Sequence, residues 1–247
     1  MIELGRRGLT VRADKVHEDA QLTLDFQRTL RIPDDNREYL LPPGLGSFSL
    51  KHVDDYASSV PVAWKVHGGV FLPMYQAEAM WINFRSTVDY PFAIKIATGK
   101  INAISGEAWS NELQGRSGKE KRQDYVVVPE QPWLDGYSIG EGLIRQFVAM
   151  PLGAGYTAEE QLTGEAEHGG IQMIAYPMKR DRYEEMCKRR KSLHAQEAAV
   201  YMCCDMAPPD MGLSPGGLMR QEIYEDPYGI DAWDTENPSR CFVHILN

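Results

Sequence analysis

The sequence predicts a strand-rich α+β fold, a mostly antiparallel sandwich or sheet with a few short helices. Glycine and proline, 22 and 15 of the 247 residues, are spread throughout the chain, and such frequent turn residues favour short elements. Several segments rich in β-branched and aromatic residues end at a proline, as strands often do. They do not alternate with helices of about 10–15 residues, so a parallel α/β fold is not expected. We expect one globular domain over residues 1–247, with residues 205–247 as a candidate C-terminal extension.

The clearest strand signal is a β-hairpin. Residues 92–97 and 100–104 alternate in side-chain character around a turn at Thr98 and Gly99. Five further strands are predicted, and three of them stop at a proline, which lacks the N–H needed to continue a ladder. These five cover residues 124–128, 143–150, 171–176, 218–224 and 241–246.

Helical signals are fewer. Thr157 is followed three residues later by Glu160, which is the spacing of a capping box, so a helix of one or two turns is predicted there. A longer helix is predicted over residues 180–201 from partly periodic apolar positions. Short helices are also predicted over residues 53–59 and 75–80.

The charge balance is acidic, with 26 Lys and Arg against 35 Asp and Glu and a formal net charge of −9. A nucleic-acid duplex needs concentrated positive charge, so no broad nucleic-acid surface is expected. The chain shows no signal-peptide pattern, and no stretch approaches the roughly 18 apolar residues of a membrane span. The sequence therefore predicts a soluble cytoplasmic protein with no membrane partner.

The cysteines are few for this length, which is typical of reduced, buried thiols in a cytosolic protein. A bridge between the first and the last of them is the alternative, because the adjacent pair is poorly placed to bridge itself. The four are Cys187, Cys203, Cys204 and Cys241.

Residues 162–170 carry the most suggestive chemistry. Glu165, Glu167 and His168 lie between glycines, directly before a predicted strand. A carboxylate beside an imidazole can ligate a divalent metal or share a proton, so these are candidate catalytic residues. A solvated polar turn explains the same pattern, and no further metal ligand stands at a recognised spacing.

A second candidate centres on Trp133, which follows a predicted strand and precedes Asp135. A tryptophan held on a turn rich in Pro and Gly can form a stacking platform for a ligand or partner. The alternative is that the ring folds over the core, because tryptophan is usually largely buried. Arg145, in the next predicted strand, and Trp233, in an acidic segment near the C terminus, complete the predicted ligand or partner contacts.

The second half of the chain contains several distinctive motifs. They are Gln-Pro-Trp-Leu-Asp-Gly at 131–136, Ile-Arg-Gln-Phe-Val-Ala-Met-Pro-Leu-Gly at 144–153, Gln-Leu-Thr-Gly at 161–164, Gly-Gly-Ile-Gln at 169–172, and the tail with Tyr-Glu-Asp-Pro-Tyr-Gly at 224–229 and Trp233. Together they resemble a family of uncharacterised soluble proteins. The resemblance covers about the last half of the chain and implies no fold, activity or catalytic residue.

Two functional hypotheses of different classes follow. The first is a non-enzymatic binding or assembly module that meets a protein partner or a second copy through aromatic and Pro/Gly turns. The alternative is a metal-dependent or acid–base enzyme with its site at residues 162–170 and with Trp133 and Asp135 near the substrate. No cofactor is specified. Convergence of Glu165, Glu167 and His168 in a pocket with another titratable group would favour the enzyme.

Overall fold

A computed structural model describes residues 1–5, 8–33, 35, 37–86, 88–115, 123–140, 142–197 and 218–247. Cys203, Cys204 and the end of the predicted 180–201 helix lie outside these residues. Cys187 and Cys241 are both free thiols, so the predicted alternative of a bridge between them does not occur.

The described chain is strand-rich, with three α-helices and two short 3-10 turns. The helices are α1 (Val62–His67), α2 (Ala158–Thr163) and α3 (Arg180–Glu197), and the 3-10 turns are Asp54–Tyr56 and Ile230–Ala232. The strands are β1 (Ile2–Gly5), β2 (Gly8–Arg12), β3 (Gln21–Thr29), β4 (Glu38–Tyr39), β5 (Gly44–Ser47), β6 (Lys51–His52), β7 (Val70–Pro73), β8 (Ala79–Arg85), β9 (Phe92–Thr98), β10 (Ile101–Asn102), β11 (Val126–Val128), β12 (Trp133–Leu134), β13 (Gly136–Gly140), β14 (Leu143–Val148), β15 (Ile171–Pro177), β16 (Leu218–Arg220) and β17 (Ser239–Leu246).

These strands form two sheets. The larger runs in the order β1-β2-β3-β8-β14-β16-β4, with β5 beside β3, β12 beside β8 and β13 beside β14. The smaller runs β10-β9-β15-β17-β7-β6, with β11 also paired to β9. Both sheets are mixed, because β16 runs parallel to β4 and β17 runs parallel to β7, while the other described pairs are antiparallel.

One hydrophobic core joins the two sheets. On β3 the residues Leu22, Leu24 and Phe26 are apolar and buried, and on β8 the same holds for Met80, Ile82 and Phe84, which is the period-2 pattern of a sheet with one face in the core. Arg28, near the end of β3, is the exception. Strands β9 and β15 are instead buried along almost their whole length. The shared core includes Leu24 and Phe26 of the large sheet and Ile96 and Met173 of the small sheet.

Two predictions that depend only on neighbouring residues, a hairpin and a helix cap, are confirmed. The predicted hairpin is confirmed as β9 and β10, although its turn lies one residue later than predicted, at Gly99 and Lys100, and β10 is only two residues long. Both turn residues have positive φ (53° and 63°), as a tight two-residue turn requires. The capping box is also confirmed: Thr157 and Glu160 satisfy each other's backbone at the start of α2. The helix predicted over residues 75–80 is wrong, because strand β8 begins at Ala79.

The C-terminal part contributes a strand to each sheet. β16 pairs with β14, and β17 lies between β15 and β7 inside the small sheet. Residues 205–217 of the predicted extension lie outside the described part of the chain. Within the described residues no helix is both long and apolar enough to cross a membrane.

Candidate functional site

The loop after α2 is ordered by a buried carboxylate. Glu159 is the buried residue of α2, only 3% exposed, and it accepts three backbone N–H hydrogen bonds. These come from Glu167 at 3.0 Å, His168 at 2.9 Å and Gly169 at 2.9 Å. Charge-assisted bonds of this kind fix a loop strongly, because the carboxylate regains in the protein the donors that it loses in water.

The side chains predicted to be catalytic lie outside this arrangement. Those of Glu165 and Glu167 are exposed, and His168 Nε2 lies 4.0 Å from Glu167 Oε2 at the surface. Among the described residues no three His, Cys, Asp or Glu side chains are grouped to hold a metal ion. The loop therefore contributes backbone amides to Glu159. Its acidic and histidine side chains do not converge on one site, so this loop does not support the enzyme hypothesis.

A second feature is a junction in the large sheet. Trp133 of β12 lies opposite Asn83 of β8, but the next strand along the chain, β13, pairs with β14 instead. The chain thus leaves β8 at Asp135, between the two pairings. Gly136 follows directly, and a Cβ there would lie 1.9 Å from the carbonyl oxygen of Arg145, so only glycine lets β13 approach β14 this closely.

Glutamine side chains fasten the C-terminal segment to this junction. Gln221 accepts the N–H of Asp135 at 3.0 Å and donates to the carbonyl of Trp133 at 3.1 Å. Gln131 donates to the same Trp133 carbonyl at 3.2 Å and accepts the N–H of Tyr224 at 3.0 Å. The Trp133 carbonyl and the N–H of Asp135 are therefore held by glutamine side chains, one of them from the C-terminal segment.

Asp135 is an ionisable group without a full set of partners. The residue is 4% exposed, and its Oδ2 is buried with no hydrogen-bond partner in the described residues. Burial raises its pKa to about 7, and a hydrogen bond from Trp133 offsets only part of that effect. Asp135 thus changes charge near neutral pH, next to the tryptophan that the sequence predicts as a platform.

Two tryptophans share the outer face of the sheet at this point. Trp133 is 36% exposed and lies opposite Asn83, and Trp81 lies two residues from Asn83 on β8, so the two tryptophans are diagonal neighbours. Such pairs have Cα atoms about 7–8 Å apart, within reach of aromatic side chains. The indole N–H of Trp81 is buried and has no partner within the described residues.

Asp25, a buried aspartate, holds the polar side chains that lie beside the two tryptophans. Asp25 of β3 is 1% exposed and accepts hydrogen bonds from Asn83 at 2.9 Å and from Gln27, and it forms an ion pair with Arg85 at 3.0 Å. No described hydrogen bond occupies Asn83 Oδ1. We call the surface formed by Trp81, Asn83, Arg85 and Trp133 the Trp133 face.

Sequence analysis missed most of the Trp133 face. The signal was present as apolar side chains at every second position, at residues 22, 24 and 26 and at residues 80, 82 and 84. The polar partners between them, Asp25 and Asn83, are 58 residues apart and come together only through the pairing of β3 with β8.

The remaining predicted contacts lie elsewhere. Arg145 is exposed on β14, opposite Tyr137 of β13. Trp233 is 1% exposed in the core, and its indole N–H donates to Asp226 Oδ2 at 2.8 Å. The same oxygen accepts the hydroxyl of Tyr125 at 2.6 Å. The structure therefore brings Trp133 and Asp135 together and places Trp233 in core packing, away from ligand-accessible surface.

Comparison of the chain with protein-family models, with curated proteins and with solved structures found no match. The resemblance in the second half of the chain stays a prediction.

Proposed function

We propose that this chain is a non-enzymatic binding module, and that its ligand surface is the Trp133 face. The supporting observation is that Trp133 keeps 36% of its surface exposed although its backbone carbonyl is held by the side chains of both Gln131 and Gln221. An exposed indole on a fixed backbone loses little entropy when it binds. We take the scaffold of this module to be a sandwich of the two sheets. The cytoplasmic location of the protein stays a prediction.

The residue set favours a polyhydroxylated ring, such as a sugar unit, as the ligand. The negative face of an indole attracts the weakly positive C–H groups on the apolar side of a sugar ring. Asn83 Oδ1 and the Arg85 guanidinium offer an acceptor and donors to the hydroxyl groups at the rim of such a ring. Small-molecule sites usually combine aromatic surface with a few polar groups beside it.

The two carboxyl groups of the region support binding over catalysis. Asp25 is buried, with Gln27 bound to one of its oxygens and Asn83 and Arg85 to the other. Asp135 has a buried Oδ2. A general acid or base must come within hydrogen-bond reach of the substrate, and these two groups lie beneath the surface.

The test is ligand binding by Trp133→Ala and by a matched control. The probes are oligosaccharides of glucose, galactose, mannose and N-acetylglucosamine, screened by titration calorimetry and by tryptophan fluorescence. We expect one class to bind and Trp133→Ala to weaken it about tenfold or more. Tyr75→Ala, which removes an aromatic ring that is 72% exposed elsewhere, should leave binding unchanged.

Three outcomes would overturn the proposal in whole or in part. If no oligosaccharide binds the folded protein, the sugar ligand is wrong. If one binds equally well to Trp133→Ala, the surface is wrong. Capture of a protein that Trp133→Ala no longer captures would replace the sugar with the protein partner that the sequence predicts.

A further inference from the structure

Trp133 and Asp135 lie on the same side of the chain, two residues apart. The side chain between them, Leu134, is fully buried in the core, and successive side chains of an extended chain point to opposite faces. Gln221 binds the Trp133 carbonyl and the Asp135 N–H. The Asp135 carbonyl accepts the N–H of Phe147 at 3.3 Å. The backbone therefore fixes where both side chains begin.

A side-chain hydrogen bond joins the two residues. The indole N–H is the only donor of a tryptophan side chain, and the Trp133 side chain donates to the Asp135 carboxyl group. Within the described residues no other side chain donates to that carboxyl group, and its Oδ2 is buried without a partner. Because the Trp133 backbone is already held, this bond is the contact that orients the exposed ring.

Burial and this one bond set the ionisation of Asp135. Burial raises the pKa of its carboxyl group to about 7, and the hydrogen bond from Trp133 lowers it in part. The charged or titratable residues on the elements packed around Asp135 are Arg85 of β8, Glu130 before β12, Tyr137 of β13, Arg145 of β14, and Arg220 and Glu222 of the C-terminal segment. None of these described residues contributes to the pKa of Asp135. A change in its charge therefore acts first on the Trp133 indole.

We propose that Asp135 is a positioning residue of the Trp133 face: its carboxylate holds the Trp133 indole in the orientation that binds the ligand, and loss of that charge weakens binding. This inference rests on the proposed binding function of the Trp133 face and adds its control by pH. The ligand touches the ring and not Asp135, because the carboxyl group lies beneath the surface.

The direction of the pH effect follows from the strength of the hydrogen bond. A hydrogen bond to a carboxylate is about twice as strong as one to a neutral carboxyl group. The ionised form therefore holds the indole more firmly, and a ring that is already oriented loses less entropy when the ligand binds. Affinity should rise as the pH rises through about 7. Because linkage is reciprocal, the ligand should lower the pKa of Asp135.

The first experiment needs no ligand and follows the indole N–H of Trp133 by NMR. The chain has five tryptophans, and the Trp133 signal is assigned by its loss in Trp133→Phe. We expect this signal to move downfield as the pH rises, with a midpoint near 7, because the charged acceptor strengthens the bond. A titrating histidine would instead affect Trp64, which stacks on His244 at 4.5 Å.

Variants separate the charge of Asp135 from its shape. Asp135→Asn keeps an acceptor for the indole N–H but does not ionise, so its Trp133 signal should show no step near pH 7. Asp55→Asn, at an exposed aspartate outside the junction, should keep the step. Circular dichroism confirms that each variant is folded at both ends of the pH range.

The second experiment measures affinity by titration calorimetry at about pH 5.5 and about pH 8.5, with the oligosaccharide that the Trp133→Ala test identifies. Wild-type affinity should rise about threefold to tenfold between these pH values. Asp135→Asn should stay at the low-pH level throughout, and Asp135→Ala should bind more weakly still, because it offers no acceptor. Saturating ligand should move the midpoint of the wild-type Trp133 signal to lower pH.

The proposal is overturned if the Trp133 signal has no step near neutral pH, or if Asp135→Asn keeps that step. It is also overturned if wild-type affinity is constant or falls as the pH rises, or if the ligand moves the midpoint to higher pH. Absence of any binding oligosaccharide overturns the sugar ligand of the proposed function instead. The NMR step separates that failure from a failure of the Asp135 contact, because it is measured without ligand.

Discussion

The carboxylate of Glu159 accepts the backbone N–H of His168 at 2.9 Å, so His168 contributes its amide to the fold while its imidazole lies at the surface. This contact connects α2 to a loop that contains two further donors to the same carboxylate, the amides of Glu167 and Gly169. The glutamate also packs against Gly99 in the β9–β10 turn, where any Cβ would collide with it. One buried acid therefore joins a helix, a loop and a hairpin.

Replacing Glu159 should cost far more stability than replacing His168. Glu159→Gln keeps the shape but removes the charge from three hydrogen bonds, so we expect the free energy of unfolding to fall by about 1–3 kcal/mol. His168→Ala removes a surface side chain and should change it by less than about 0.5 kcal/mol. Urea denaturation measures both. A larger loss for His168→Ala would show that the imidazole has a structural or ligand-binding role.

Asp135 should make the protein less stable as the pH rises through neutrality. Its pKa is raised from 3.8 to about 7 in the folded state, so the folded state binds the proton more tightly than the unfolded state does. The contribution of Asp135 to the free energy of unfolding is greatest at low pH and is lost between about pH 4 and pH 7. At 1.36 kcal/mol per pKa unit, the loss is about 4 kcal/mol.

Asp135→Asn provides the measurement. The variant cannot ionise, so its stability relative to wild type should increase between pH 4.5 and pH 8 in urea denaturation. A difference between the two proteins that is the same at both pH values would show that Asp135 does not titrate in this range. Asp55→Asn, at an exposed aspartate outside the junction, serves as a control for general charge effects.

Breaking the buried ion pair of Lys95 and Asp124 should be strongly destabilising. Lys95 Nζ lies 2.6 Å from Asp124 Oδ2, both side chains are buried, and the ammonium group also donates to Ser110 and to the carbonyl of Glu112. Lys95→Met leaves Asp124 buried without its counter-charge, which costs about 3–5 kcal/mol. The double variant with Asp124→Leu should recover part of this loss. Thermal unfolding of both variants checks the prediction, and equal losses would contradict it.

Gly136 should tolerate no side chain. Gly136→Ala would force β13 away from β14, because the new Cβ would meet the Arg145 carbonyl. We expect the melting temperature to drop more than for Gly153→Ala, where the backbone has a positive φ of 90° but no atom lies within 4 Å of the added Cβ. The tryptophan fluorescence of Gly136→Ala should also change, because the junction positions Trp133. Equal effects of the two substitutions would show that the space at the junction is not tight.

The sequence by itself determined the features that neighbouring residues decide. The hairpin of β9 and β10 follows from alternating side chains on both sides of Gly99, and the start of α2 follows from Thr157 and Glu160, three residues apart. The strand-rich class follows from composition and from the frequency of turn residues. The alternation along β3 and β8 was also present in the sequence and would have added two strands to the prediction.

Only the tertiary structure decided which polar residues meet. Asp25 and Asn83 are brought together by strand pairing, and Asp135 meets Gln221 across 86 residues of sequence. Local patterns record the periodicity of a strand or the cap of a helix, but they do not record which strand lies beside which. Closing loops of this length costs entropy that only the common hydrophobic core offsets, so these contacts depend on the whole fold.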